Sequence, residues 1–199
     1  MISIASLIPA SGGAKRLIAS TVFFALSTAV GLAAEDRLAK VLDNYGCQVR
    51  VMLSAIQEAP ASVTSPFLMI AVTDKIAKNL SCTFVNDRQH LLCSTAPISK
   101  EKAEGAPFYK ISKRGGTALG KVDFTMNETE GKFQRTIDLA PKQDLKPIAE
   151  LMLSALYSAY GMRDPDAGLS LVADRDSLSD LDGVTACPGE YKTWGIALR

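Results

Sequence analysis

The stretch Ser81-Cys-Thr-Phe-Val-Asn-Asp-Arg-Gln-His-Leu-Leu-Cys-Ser94 decides how this chain is read. Its two ends are strand-forming, and Asn86-Asp-Arg-Gln89 between them is a turn-rich loop of four residues, so the segment predicts a β-hairpin. Pairing Val85 with His90 then sets Cys82 directly opposite Cys93, at a separation a cross-strand disulfide can bridge.

That pairing decides the rest of the cysteine chemistry. The chain has 4 cysteines, and the remaining two are Cys47 and Cys187. Their bond ties the first part of the domain to its last segment, and closing so long a loop restricts the unfolded chain by roughly 3–5 kcal/mol on the chain-entropy account. A zinc site is the rival use of four cysteines. No two of them stand in a C-x2-C or C-x4-C arrangement and His90 is the sole histidine, so no metal is expected.

Disulfides imply an oxidising compartment, and the amino terminus supplies a route to one. Lys15 and Arg16 precede an apolar run from Leu17 to Ala34, no acidic residue appears before Glu35, and small residues stand where a peptidase cuts. Residues 1–34 are therefore predicted to be a secretory signal peptide, and residues 35–199 a single globular domain. An uncleaved anchor is the alternative, since about 18 apolar residues just span a bilayer. Export to a bacterial periplasm, or secretion, is the expected localisation.

Removing the signal takes away two of 22 basic residues and none of 21 acidic ones, so the mature charge is 20 − 21 = −1. A near-neutral surface gives no reason to expect nucleic acid as a partner, and membrane contact is expected only if the amino-terminal segment is retained. The remaining 165 residues (199 − 34) suit one domain with a real core.

The predicted fold class is α+β, disulfide-braced. Residues 35–44 form a helix stopped by Gly46, and 48–57 read as a strand with helix as the alternative. Ser65-Pro66 looks like a helix start, with Leu68, Val72, Ile76 and Leu80 recurring every fourth residue, although a buried strand over 67–72 fits the same letters. Strands at 108–113, 119–126 and 133–139 are expected to make an antiparallel meander spanning 108–139, with turns at 114–117 and 127–131. C-terminal strands at 169–173 and 192–198 would extend the sheet. A long helix over 145–160, capped by Asp144 and ended by Gly161, covers it with Leu145, Ile148, Met152, Ala155, Leu156 and Ala159.

Motifs for chemistry are sparse. Gly115-Gly-Thr-Ala-Leu-Gly-Lys121 matches most of the phosphate-loop pattern, but Val122 stands where a Mg²⁺-binding hydroxyl is required, so a hairpin turn is expected and no cofactor. Asp174, Asp176, Asp180 and Asp182 gather carboxylates, yet Leu178 and Thr185 occupy ligand positions of a calcium loop, which favours a solvated polar loop. No nucleophile motif accompanies His90, which is expected on a strand surface. Asn79-Leu-Ser81 and Asn127-Glu-Thr129 match the glycosylation sequon.

No catalytic residue is therefore predicted. The favoured function is a non-catalytic envelope protein that binds a partner protein or small ligand. Its contact surface is expected on the sheet or near Tyr157, Tyr160, Tyr191 and Trp194, whose amphipathic rings suit a ligand groove. One alternative is a small envelope hydrolase with carboxylates drawn from Asp123, Asp138, Asp174 or Asp180, which needs two acids in one pocket. The other is an anchored structural or assembly factor.

Overall fold

The structure, a computed structural model, describes residues 14–73, 75–97, 111–161, 168–173, 187 and 194–198; for 14–34, 75–77 and 194–198 it describes the backbone alone. Residues from Leu38 onward form one compact unit, separate from Met1–Arg37. The fold is α+β, and its sheet holds the strands in the order β4-β5-β3-β2-β1-β6-β7.

Helix α1 spans Ala14–Gln57. Val41, Tyr45, Gln48, Val49, Met52, Leu53 and Ile56 are all buried, a stripe at three- and four-residue spacing that continues through Gly46 without a break. The expected stop at Gly46 and strand over 48–57 are thus overturned. Burial of this stripe outweighs the roughly 1 kcal/mol that glycine costs inside a helix, and the alternation of Val49, Val51 and Leu53 is incidental to it.

Strands β1 (Phe67–Val72), β2 (Lys75–Val85) and β3 (His90–Thr95) form an antiparallel meander. The helix expected from Ser65-Pro66 is absent, because a four-residue recurrence is also a multiple of the strand period of two. Leu68, Ile70 and Val72 all face the core as alternate residues of a strand. The β2–β3 hairpin has Val85 opposite His90 and Cys82 opposite Cys93, and the Cys82–Cys93 disulfide is formed. Gln89 N–H donates to the Asn86 carbonyl at 3.0 Å, with Asp87 and Arg88 at φ 51° and 65°. The loop is therefore a tight turn of type I′ character inside the four residues.

The largest correction falls on the expected 108–139 meander. Residues 108–110 lie outside the described residues, and Lys113–Gly120 is helix α2, started by Ser112, whose hydroxyl accepts from Gly115 N–H. The reason is packing: a Cβ on Gly115 would lie 2.4 Å from the Ala159 carbonyl oxygen, and one on Gly116 would lie 3.0 Å from the Phe133 ring. The paired glycines let α2 lie against its neighbours, so the phosphate-loop letters form a helix in place of the expected hairpin turn. Of that meander, the described residues keep β4 (Thr125–Asn127) and β5 (Lys132–Asp138) as strands. Their turn is at 127–131, as expected, with Asn127 Oδ1 accepting from Thr129 and Glu130 N–H and Gly131 at φ 64°.

Helix α3, Lys146–Tyr160, ends on left-handed Gly161 and buries Ile148, Met152, Ala155, Leu156 and Ala159. Asp144 sits one residue before the cap position, where its carboxylate accepts from Lys146 N–H at 2.9 Å. Strand β6 (Leu169–Ala173) pairs antiparallel with β1, and β7 (Trp194–Leu198) pairs parallel with β6. One core cluster joins the buried stripes of α1 and α3 to Leu68, Ile70, Leu80, Phe84, Leu91 and Leu171 of the sheet. Cys47 of α1 is bonded to Cys187, and among the described residues no helix is long and apolar enough to cross a membrane.

Candidate binding surface on the open sheet face

Strand alternation places the remaining sheet residues on the face away from the helices. Register aligns Phe67, Thr83, Leu92 and Thr136 in one row, and Met69, Ser81, Ser94, Gln134 and Thr125 in the next. Exposure rises across this face: Val172 and Ala71 on β6 and β1 are buried, so the face is covered there and open only from Phe67 and Met69 across half-buried β2 and β3 to exposed Thr136 and Asp138 on β5. The surface combines apolar contact area with hydroxyl groups.

Two ionisable side-chain pairs mark its β5 end. His90 and Asp138 are cross-strand neighbours, and His90 Nδ1 donates to the Asp138 carboxylate at 2.7 Å. Arg135 points to the helix side, donates to the Val122 carbonyl at 2.7 Å and comes within 3.7 Å of Asp123. Beside the second pair lies a cavity of about 440 Å³ lined by Leu92, Asp123, Thr125, Gln134, Arg135 and Thr136. A second cavity, about 510 Å³, lies against the hairpin tip and is lined in part by Val63, Pro66, Phe84, Asp87 and Arg88. Arg88 sends its guanidinium to the carbonyls of Gln57, Ala59 and Pro60, at the end of α1.

Tyr157, Tyr160, Tyr191 and Trp194 are the aromatic residues expected near a ligand groove. Tyr157 and Tyr160 pack against the core cluster, and the Tyr160 hydroxyl donates to the Asn79 carbonyl at 3.0 Å. Burial pushes that hydroxyl up to about 12. Trp194 stands in β7 opposite Leu169, while Tyr191 lies outside the described residues. So do Asp174, Asp176, Asp180 and Asp182, and with them the carboxylate loop. Of the acids considered for hydrolysis, Asp123 lines the cavity beside Thr136, and Asp138 is held by His90.

Sequence reasoning passed over Phe67, Met69, Leu92, Arg135 and Thr136. A signal for the first three was present. In a strand, the neighbours Leu91 and Leu92 must face opposite sides, and Phe67-Leu-Met-Ile-Ala-Val72 is apolar at every position, the pattern of a strand covered on both faces. Comparison with known protein families, with curated protein sequences and with solved structures finds no match.

Proposed function

We propose that this chain is an exported, non-catalytic protein of an oxidising compartment, a periplasm or the medium, that holds a partner protein on the open face of its sheet. One observation carries the reading: Phe67, Met69 and Leu92 lie on a face to which none of the described helices contributes core residues. Such a surface suits a protein interface, where apolar contact area is interleaved with hydroxyls. The two disulfides support the compartment. The hydrolase alternative requires two acids turned into one pocket; among the described residues the cavity at this end of the sheet is lined by one carboxylate, Asp123, and Asp174 and Asp180 lie outside the described residues.

The test is site-specific photo-crosslinking in cells that export the protein. A crosslinker in place of Thr83, half-buried on the open face, is expected to give a discrete adduct, and one in place of exposed Arg50 on α1 is expected to give none. Silence at Thr83, or equal labelling from both positions, contradicts the reading.

A further inference from the structure

Among the described residues, the β4 side of the sheet has an open edge. Strand β4 covers β5 only along Lys132, Phe133 and Gln134. The phase of the ladder follows from two bonds. Leu139 N–H donates to the Gln89 carbonyl at 2.8 Å, on the β3 side. The Gln134 carbonyl accepts from the Thr125 hydroxyl at 3.4 Å, on the β4 side. Because backbone groups in an antiparallel strand turn to alternate sides, Thr136 and Asp138 direct their N–H and C=O away from β3. Continuing the β4 register would put Asp123 opposite Thr136, but Asp123 has left the strand conformation at φ 59°. Among the described residues nothing takes up the backbone groups of Thr136 and Asp138 on that side.

Folded proteins guard such edges with lysine, proline, a bulge or a covering segment. The guard here is Arg135, whose bond to the Val122 carbonyl keeps the chain close to β5. Between that contact and Thr136 the cavity of about 440 Å³ remains. The edge also presents two exposed carboxylates. The side chains of Asp123 and Asp138 are 81% and 90% exposed, and the Asp123–Arg135 separation of 3.7 Å is too long for a hydrogen bond. Both carboxylates thus keep exposed oxygens that a cation of a partner can reach.

We propose that the open stretch of β5, from Thr136 to Asp138, takes up an extended basic segment of a partner protein as an added strand. Its backbone bonds to the outward groups of Thr136 and Asp138, and its lysine or arginine side chains meet Asp123 and Asp138. The proposal rests on the reading of the open face as a partner surface and assigns that partner a chemistry.

The probe is a capped Lys-Val-Lys-Val-Lys-Val peptide, titrated into the oxidised ¹⁵N-labelled protein. The Thr136 and Asp138 amides are expected to shift saturably and to exchange more slowly with solvent. A Glu-Val repeat, and the Lys-Val peptide N-methylated at alternate residues, are expected to bind at least tenfold more weakly. Thr136→Pro removes an N–H that has no described partner, so it is expected to weaken binding tenfold or more and leave the fold intact. Should that variant not fold, the double change Asp123→Asn and Asp138→Asn is expected to give the same loss for the basic peptide.

Equal binding of the acidic and basic repeats, or shifts that spare both amides, overturns the proposal. Protection of those amides that grows with protein concentration in the absence of peptide also overturns it, by assigning the edge to a second copy. A Thr83 adduct together with an edge silent to the peptide removes strand addition and leaves the open-face reading standing. Silence in both experiments removes both.

Discussion

Arg88 sits at φ 65°, a conformation that costs a side-chain-bearing residue roughly 1 kcal/mol or more. What offsets this is its guanidinium, which reaches the carbonyls of Gln57, Ala59 and Pro60 and satisfies the end of α1 from across the chain. Arg88→Ala keeps the backbone strain and loses the charged hydrogen bonds, at an expected cost of about 2–3 kcal/mol. Arg88→Gly loses the same bonds and relieves the strain, so it is expected to be about 1 kcal/mol less damaging in urea unfolding. Equal losses for the two variants would show that the turn is unstrained. Tyr160 gives a second test at this scale. Its hydroxyl titrates near 12 in the folded protein against 10.0 when free. The group therefore contributes its full stabilisation below pH 10, on the order of 2–3 kcal/mol, and loses it as the pH rises through 12. Stability measured from pH 9 to 12 should fall more steeply for the native protein than for Tyr160→Phe; parallel curves would place the hydroxyl in water.

Two glycines separate the helices from the readings they displaced. Gly46 lies inside α1, and a Cβ added there would meet nothing within 4 Å, so Gly46→Ala is expected to stabilise by about 0.5–1 kcal/mol. A glycine that ended the helix in the left-handed region would show the opposite sign. Gly115→Ala drives a methyl into the Ala159 carbonyl and is expected to cost about 2–3 kcal/mol in thermal or urea unfolding; a neutral result would contradict the α2–α3 contact. These positions also show where the sequence is legible. The 81–94 hairpin and α3 could be read because turn chemistry, cysteine register and a clean apolar face agree locally. Strand β1 could not, because Leu68, Val72, Ile76 and Leu80 satisfy both periods and only pairing with β2 and β6 chooses between them. Helix α2 could not either, since two adjacent glycines argue for a turn until the close approach of Ala159 is known. The edge at Thr136 depends on where β4 stops, and no local residue pattern reports that.

Across the whole molecule the two disulfides act on different spans. Cys47–Cys187 closes a loop with a sequence separation of 140, and Cys82–Cys93 one of 11. On the chain-entropy account these constrain the unfolded chain by about 5 and 3 kcal/mol respectively. Paired serine substitutions should therefore reduce stability in both cases. Removing Cys82–Cys93 also places two hydroxyls at fully buried positions, an added cost of about 1–3 kcal/mol for each that finds no partner. If neither pair of substitutions lowers the urea midpoint, the bonds do not brace the native fold. The proposed export and the bracing belong together, because the bonds need an oxidising compartment in which to form. The most direct measurement is a non-reducing peptide map, with intact mass, of the protein taken from the cells that make it. The account predicts a chain beginning near Glu35, no free thiol, and the Cys47 peptide linked to that of Cys187 and Cys82 to Cys93. A chain that retains Met1, or four free thiols, would contradict it.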